Sequence, residues 1–377
     1  MAKLGEVFTI ASGGTPDKRN PSYYENGTIP WVKTGDLKNQ YVPTGIDCIT
    51  EEGLNNSSAK LFPPNTVLVA MYGATIGACS ILSYEAATNQ ACAAFLPNEN
   101  VLPTYLYYFL SSKREQFVKD GVGGAQPNIS AGYLKNVQFG LIPMQQQIDI
   151  VEKLDKVEKL IALRKEQLAK LDQLVKSRFV ELFGDTPDEE KKTMADICKI
   201  ITDGTHQPPK FTSTGIPFLF VSNIVTNEIH YDAEKFISEE TYAELIKRTP
   251  IAIGDILLST VGSYGHPAVV KSDKPFCFQR HIAYLKPNAD MVNSEYLRGA
   301  ILSADVQRQI DERVKGIAQK TLNLSEIRKL QLPLPSMEQQ EQFAAFVEQT
   351  DKSKLAIQYS LNKLELLKKS LMQKYFG

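Results

Sequence analysis

The sequence predicts an α+β protein with a pseudo-twofold internal repeat. Two similar globular domains with small curved sheets are expected, separated by an antiparallel pair of long helices. Three observations lead to this expectation. The second half of the 377-residue chain repeats the first, each half ends in a long segment with heptad spacing, and the rest of each half consists of short β-branched runs between turn residues.

The repeat consists of sequence blocks that occur in the same order in both halves. Leu4 begins a block that matches one beginning at Met194, an offset of 190 residues. The other blocks pair 29–31 with 216–218, 67–73 with 256–262, Gln90 with Gln279, 124–126 with 317–319, 146–147 with 339–340, and Phe183 with Phe376. A period this long indicates a duplicated domain and not an array of short repeats.

Two segments, 145–182 and 337–375, contain neither Pro nor Gly and carry apolar residues at heptad spacing. A helix with such a seam needs a partner, and its own repeat is the nearest one, so an antiparallel coiled coil is predicted. The alternative is that each helix packs on its own domain or on another protein. The predicted helix-pair interface comprises Leu154, Ile161, Leu168, Leu171, Val175, Ile357, Leu361, Leu364 and Leu371.

Composition excludes several classes of protein. The net charge is -1, from 42 Lys and Arg against 43 Asp and Glu, and no apolar run reaches the length of a membrane span or a signal peptide. A cytoplasmic protein is therefore expected. The five scattered cysteines and four histidines lack metal-ligand spacing, and no phosphate-binding loop, dinucleotide fingerprint or nucleophile elbow is found. We expect no metal site and no catalytic residues.

Several motifs resemble the specificity subunit of type I restriction–modification enzymes. In the first half they are Gly13-Gly14-Thr15-Pro16, Gly27-Thr28-Ile29-Pro30-Trp31-Val32-Lys33-Thr34-Gly35-Asp36-Leu37, Tyr72-Gly73-Ala74-Thr75-Ile76-Gly77, Thr88-Asn89-Gln90-Ala91-Cys92 and 123–130. In the second half they are Asp203-Gly204-Thr205-His206 and Pro208-Pro209-Lys210. The resemblance covers essentially the whole chain. The second half has 218–223 in place of the Trp-Val-Lys-Thr-Gly-Asp run, so the two domains are expected to read different half-sites.

The resemblance implies a non-catalytic subunit with two target-recognition domains, at 1–144 and 185–335, of which 185–192 is a linker. Central helical regions at 145–184 and 336–377 would form the spacer. Each domain would read one half of a split double-stranded DNA target. The implied partners are two adenine-methyltransferase subunits and restriction/translocase subunits, with no membrane. No cofactor is expected on this chain, whereas S-adenosylmethionine, ATP and Mg are expected on the partner subunits.

Base readout requires Arg, Lys, Asn, Gln or hydroxyl side chains at a groove edge. The candidate DNA-binding residues are Thr15, Lys18, Lys33, Tyr72, Thr75 and Gln90 in the first domain, and His206, Lys210, Ser263, Tyr264, Arg280 and His281 in the second. Each has a surface or turn role as its alternative. The glycines at 13, 14, 73 and 204 are expected to make turns, and Gln126 and Gln319 to brace the domain or contact a methyltransferase.

Charge is the main objection to DNA binding. Residues 1–144 carry 10 basic and 11 acidic side chains, and residues 191–335 carry 18 and 16. Since phosphate contacts dominate the affinity for DNA, a near-neutral DNA-binding domain should bind DNA weakly without partners. Two alternatives remain: a coiled-coil scaffold without DNA recognition, and a standalone nuclease or methyltransferase.

Overall fold

The computed structural model describes residues 1–122, 128–184, 186–187, 190–316 and 320–377. The chain forms two compact units. Unit 1 comprises Met1–Arg164 with Ser360–Gly377, and unit 2 comprises Lys165–Tyr359. The repeat block at 124–126 and 317–319, with Gln126 and Gln319, lies outside the described residues.

Unit 1 combines short strands with mostly short helices. Its strands are β1 (Ala2–Lys3), β2 (Ile10–Ser12), β3 (Ile29–Val32), β4 (Cys48–Ile49), β5 (Leu61–Phe62), β6 (Val67–Ala70), β7 (Cys79–Ile81), β8 (Ala86–Thr88), β9 (Cys92–Phe95) and β10 (Gln138–Phe139). Its helices are α1 (Leu4–Val7), α2 (Glu51–Asn55), α3 (Pro103–Ser112), α4 (Arg114–Asp120), α5 (Ala131–Asn136) and the first part of α6 (Met144–Phe183). The strands form sheets of order β1-β10, β2-β9-β6-β7 and β4-β3-β8-β5.

Unit 2 is built in the same way. Its strands are β11 (Lys191–Thr193), β12 (Cys198–Asp203), β13 (Ile216–Leu219), β14 (Phe236–Ile237), β15 (Ile256–Ser259), β16 (Pro267–Val269), β17 (Cys277–Phe278), β18 (Ile282–Pro287) and β19 (Gln331–Pro333). Its helices are the rest of α6, α7 (Met194–Ile197), α8 (Glu239–Leu245), α9 (Ser294–Ile301), α10 (Ala304–Arg313), α11 (Leu324–Ile327) and most of α12 (Met337–Phe376). The sheets are β11-β19, β12-β18-β15-β16 and β14-β13-β17.

The sheet orders confirm the predicted α+β class and the internal repeat. The four-stranded sheet β2-β9-β6-β7 has the same connectivity as β12-β18-β15-β16, and β4-β3-β8 has that of β14-β13-β17. Among the strands of the described residues, one pair in each unit is parallel, β3 with β8 and β13 with β17, and the other pairs are antiparallel. The two halves therefore share strand order as well as sequence blocks.

The sheets β2-β9-β6-β7 and β12-β18-β15-β16 are each covered on both faces. On β6, Val67 and Val69 belong to the apolar core that includes α3, while Leu68 and Ala70 belong to a second core under the neighbouring sheet. Side chains alternate between the two faces of a strand, so a strand buried on both faces has an unbroken apolar sequence. The run at 256–258 has the same division in unit 2.

Both long helices form as predicted, within one residue of the expected ends. Inside unit 1 they run antiparallel, since Arg164 Nε donates to Ser360 Oγ at 3.2 Å and Glu158 pairs with Lys368 further along. Inside unit 2 they are also antiparallel, since Lys354 Nζ lies 2.6 Å from Asp172 Oδ1, while Phe179, later in α6, packs on Phe343, earlier in α12. No helix of the described part of the chain is long and apolar enough to cross a membrane.

The nine predicted interface residues are all at least half-buried. Leu154, Ile161 and Leu361 are buried, and the other six are intermediate. Leu182 continues the seven-residue spacing of Leu154, Ile161, Leu168 and Val175, yet it is 40% exposed, whereas Phe179 and Phe183 are buried. An α-helix has 3.6 residues per turn, so its inward face drifts from a strict heptad row. At this end the two phenylalanines pack on Tyr296 and Phe343.

The helical segments α3–α4 and α9–α10 are each divided in two by a short interruption. The first helix ends before Lys113, whose ψ of 1° leaves the helical range. The second is interrupted at Ser303, whose side chain caps α10 by accepting from Val306 N. A serine at this position favours a new helix start because its hydroxyl bonds a free N–H of the first turn.

We expect two buried threonines of unit 1 to respond oppositely to replacement by valine. Thr66 Oγ1 donates to Pro63 O at 2.8 Å, whereas Thr88 Oγ1 has no hydrogen-bond partner among the described residues. Thr66→Val should therefore lower the free energy of unfolding by about 1 kcal/mol, and Thr88→Val should raise it by about 1 kcal/mol. Urea denaturation of both variants checks this. Equal losses would show that the Thr88 hydroxyl is satisfied.

Candidate nucleic-acid interface

The parallel strand pair of each unit positions the candidate residues. In unit 1, Val32 pairs with Thr88, and both strands then end at one edge. Lys33 follows the first strand, and Asn89 with Gln90 follows the second. Asn89 N continues the ladder by donating to Val32 O at 2.9 Å. Because parallel strands end on the same side of a sheet, loops of distant sequence meet there.

A third loop, at Gly13 and Gly14, completes this edge of unit 1. Gly14 N donates to Thr88 O at 2.9 Å, and the buried indole of Trp31 donates to Gly14 O at 3.0 Å. A Cβ on Gly13 would lie 1.9 Å from Thr88 O. The expectation that Gly13, Gly14 and Gly204 make turns is therefore wrong. They lack positive φ angles and instead allow close backbone approach, whereas Gly73, with φ of 66°, is a turn residue.

Thr15 and Gln90 are in direct contact at this edge. The Thr15 hydroxyl donates a hydrogen bond to Gln90 Oε1. Thr15 is half-buried and Gln90 is exposed, so one hydrogen bond orients an amide that remains accessible to a ligand. A carboxamide carbonyl has two lone pairs, and the NH₂ group has two donors. The oriented amide keeps one acceptor site and its donors for a ligand.

The basic candidates of unit 1 are partly neutralised by neighbours. Lys33 pairs with Asp47, whose hydrogen bond raises the pKa of the lysine, and its Nζ lies 6.0 Å from the Trp31 ring centroid. Lys18 is exposed. Next to it, hydrogen bonds from Arg19 lower the pKa of Asp17 to about 2. A phosphate would compete with these carboxylates for the cations.

Tyr72 and Thr75 lie on a separate turn. Gly73 allows the turn, and Thr75 Oγ1 donates to Tyr72 O at 3.2 Å. Tyr72 is 44% exposed and bridges through its backbone to Asn128. The threonine hydroxyl is thus engaged in the turn, while the tyrosine ring remains accessible.

In unit 2 the carboxylate of Asp203 organises the corresponding edge. It lies 2.9 Å from His206 Nε2 and 2.5 Å from an Arg248 guanidinium nitrogen. The Asp203 side chain is only 14% exposed, whereas His206 and Arg248 are about half exposed. Sequence reasoning missed Arg248, which lies 45 residues after Asp203 and outside every motif. Lys210 is exposed.

Arg280 and His281 follow the second parallel strand of unit 2. Arg280 N donates to Thr205 O at 3.1 Å, which places it beside His206. Its Nε donates to His281 Nε2 at 3.4 Å. Burial, and then the charge of Arg280, lower the pKa of His281, so the imidazole is neutral at pH 7.

Ser263 and Tyr264 lie on the turn after β15. Tyr264 is half-buried, its hydroxyl donates to Asp311 Oδ1 at 2.9 Å, and Lys320 Nζ lies 6.0 Å from its ring centroid. Ser263 is exposed. Tyr264 is therefore held by α10, and its ring is paired with a cation.

The backbone register corrects the sequence alignment of the two halves by one residue. Gly14 N and Thr205 N donate to the equivalent carbonyls of Thr88 and Phe278. Thr15 therefore corresponds to His206, not Thr205. The cause is a register shift between Cys198 and Ile200 on β12, which adds one residue in unit 2.

The same correction applies to the second loop. Asn89 N donates to Val32 O as Gln279 N donates to Leu219 O. Gln90 therefore corresponds to Arg280, not Gln279. Thr15 and Gln90 of unit 1 therefore occupy the same backbone positions as His206 and Arg280 of unit 2. The side chains at these positions differ in chemistry between the two units.

The geometry provides no catalytic arrangement among these side chains. No group of three or more His, Cys, Asp or Glu in the described ranges is placed to hold a metal ion. All five cysteines are free. Burial raises the pKa of the thiols of Cys79, Cys92, Cys198 and Cys277 to about 12, so none is an accessible thiolate at neutral pH. The exposed amide, guanidinium and imidazole groups are suited to hydrogen bonding with a ligand.

Comparison with known proteins identifies the family. A family profile described as type I restriction modification DNA specificity domain matches residues 1–173 and 188–366. The MjaIX specificity subunit of Methanocaldococcus jannaschii is 25% identical over 375 residues, covering 92% of this chain and 85% of that one. The EcoR124I/EcoR124II specificity subunit of Escherichia coli is 31% identical over 162 residues, 42% of this chain and 40% of that one.

Solved structures show the same fold. The S subunit of a type I restriction–modification system from M. genitalium aligns with a TM-score of 0.55 at 15% identity, over 100% of this chain and 95% of that one. A chain from a study of complex assembly and conformational transition of the type I R-M system aligns with a TM-score of 0.60 at 18% identity, over 100% and 96%.

Proposed function

The chain belongs to the type I restriction–modification DNA specificity family, and we propose that each of its two units reads one half of a split DNA target. As a specificity subunit it is a non-catalytic DNA-recognition protein that acts in a complex with other subunits. The observation that carries the proposal is the equivalence of the two strand edges. Each presents side chains for base contact at the same backbone positions, and those side chains differ between the units.

The direct readers in this proposal are the exposed groups at the two edges. Gln90 and Arg280 reach outward from equivalent loops, with Thr15 and His206 beside them. Lys18, Lys33 and Lys210 supply phosphate contacts, which position the protein without reading sequence. His281 at the edge of unit 2 is proposed as a further contact. Tyr72, Thr75, Ser263 and Tyr264 are proposed as contacts on the separate turns that carry them.

We propose residues 1–144 and 185–335 as the recognition domains and 145–184 and 336–377 as the regions that dock two methyltransferase subunits. Exposed apolar side chains on the long helices support docking. In unit 1 they include Leu160, Leu163, Leu366 and Leu367, and in unit 2 Leu174, Val180 and Leu355. Exposed apolar residues concentrated on an element mark protein–protein contact. One such set in each unit favours one methyltransferase per unit.

The remaining assignments follow from this role. The two long helices, each 40 residues, set the gap between the half-sites. Methyltransferase and restriction/translocase partners supply the chemistry, with S-adenosylmethionine, ATP and Mg bound on those subunits. Because the recognition domains are near-neutral, the partners provide many of the phosphate contacts that give affinity for DNA. A cytoplasmic location follows from DNA as the ligand.

Selection from a random DNA library tests the proposal. The chain, assembled with its methyltransferase subunits, is expected to enrich duplexes carrying two fixed base blocks separated by a gap of unselected bases. A coiled-coil scaffold without DNA recognition predicts no sequence enrichment with partners present. Enrichment of one uninterrupted block would contradict a division of the target between the two units.

A further inference from the structure

The two recognition edges differ at one equivalent position in a way that predicts the bases they prefer. The backbone register places Gln90 of unit 1 where Arg280 lies in unit 2. Both side chains are exposed, and both follow the second strand of the parallel pair. One is a neutral amide and the other a cation, so they cannot recognise the same base edge equally well.

The amide of Gln90 is oriented by its neighbour. The Thr15 hydroxyl donates to its Oε1, which leaves the second lone pair of that oxygen and both N–H groups for a ligand. An acceptor and a donor side by side match the N6 amino group and N7 of adenine in the major groove. Guanine offers two acceptors there, O6 and N7, and would leave the amide oxygen facing an acceptor.

Arg280 has the opposite preference. Its Nε is occupied by His281, and its terminal nitrogens make no hydrogen bond within the described part of the chain. The guanidinium therefore presents a planar pair of donors and no acceptor. Two parallel donors match O6 and N7 of guanine, whereas the amino group of adenine would meet a donor.

The backbone of Arg280 is anchored at the edge of unit 2. Its backbone N–H is bonded to Thr205 O, next to His206, and Asp203 holds both His206 and Arg248 on the neighbouring loop. The bond from Arg280 Nε to His281 Nε2 restrains the side chain before a ligand binds, which lowers the entropy lost on binding.

We propose that Arg280 selects a G·C pair in the half-site read by unit 2, and that Gln90 selects an A·T pair at the equivalent position of the half-site read by unit 1. This inference rests on the proposed function. It adds which base each unit prefers at one position and names the side chain that decides it.

Reciprocal substitutions at the two positions test this. Arg280→Gln and Gln90→Arg variants, each assembled with the methyltransferase subunits, are selected against a randomised duplex library. Arg280→Gln should reduce the preference for guanine at one position by about 10- to 100-fold, with adenine favoured instead. Gln90→Arg should make the reverse change in the other half. Arg280→Lys should retain guanine, because lysine also donates to O6 and N7.

Arg308→Gln is the matched control. Arg308 is an exposed arginine of unit 2 whose guanidinium is held by Asp305 at 2.7 Å and Glu312 at 2.9 Å on its own helix. Its loss should leave the selected sequence unchanged.

The outcomes separate this inference from the function on which it rests. If the unaltered complex selects a split sequence and Arg280→Gln selects the same bases, the inference is overturned and the proposed function stands. Weaker binding to all sequences alike would also overturn it, because that is the signature of a phosphate contact. If the unaltered complex selects no sequence, the proposed function fails and this inference fails with it.

Discussion

Replacing Arg298 by alanine is expected to lower the stability of unit 2 by about 3 kcal/mol, because it leaves two enclosed carboxylates short of positive charge. The Arg298 side chain is only 8% exposed. Its guanidinium lies 2.9 Å from Glu295 on α9 and 3.3 Å from Asp351 on α12, so it joins the recognition domain to the long helix. Lys271 pairs with both carboxylates and keeps the loss from being larger.

Lys352→Ala is the control for this variant. Lys352 lies on α12 next to Asp351 and pairs with Glu348 at 2.8 Å, but both side chains are about two-thirds exposed. Its loss should cost at most about 0.5 kcal/mol, since exposed pairs contribute little. Chemical denaturation of the full chain measures both. Arg298→Lys should recover part of the loss by restoring the charge. Equal effects of the Arg298 and Lys352 alanine variants would show that Lys271 alone suffices.

Replacing Gln147 by leucine should destabilise unit 1 by several kcal/mol, about 3–5, because three backbone groups would lose their partner. Gln147 is fully buried at the start of α6. Its Oε1 accepts from Leu102 N at 2.9 Å, and its Nε2 donates to Asn100 O at 2.8 Å and Ile142 O at 2.9 Å. These bonds fasten the long helix to two loops of the recognition domain.

Gln340 makes the same three bonds in unit 2. It accepts from Asn293 N at 2.9 Å and donates to Met291 O at 3.1 Å and Pro335 O at 2.9 Å. Gln340→Leu should therefore have an effect of similar size, whereas Gln146→Leu, at an exposed neighbour, should be close to neutral. Thermal and urea unfolding of the three variants provide the comparison. A neutral Gln147→Leu variant would mean that water replaces the lost bonds.

Periodic and repeated features were predictable from the sequence. Heptad spacing and the absence of Pro and Gly located both long helices within one residue, because helix formation depends on local periodicity. The matching blocks predicted a duplicated fold, which the shared sheet orders confirm. The Gln-Gln pairs at 146–147 and 339–340 were recognisable as part of the repeat. The sequence did not indicate that Gln147 and Gln340 are buried and bond the backbone.

Features set by single residues or distant contacts were not predictable. One added residue in β12 makes His206, not Thr205, the equivalent of Thr15. A one-residue insertion in a short strand cannot be located from two sequences of similar composition. Arg248 reaches Asp203 only because the chain folds back over 45 residues. Leu182 fits the heptad spacing but is exposed, whereas Phe179 and Phe183 are buried in the apolar core of unit 2. In each case the structure depends on tertiary packing, which local sequence patterns do not reveal.

Exchange of one recognition domain tests the central claim most directly. Residues 1–144 are replaced by the corresponding residues of a specificity subunit with a different target, and the methylated DNA sequence is determined for the assembled complex. One half of the methylated sequence is expected to change, while the other half and the gap stay as they were. A methylated sequence that is unchanged, or that changes in both halves, would contradict the assignment of one half-site to each unit.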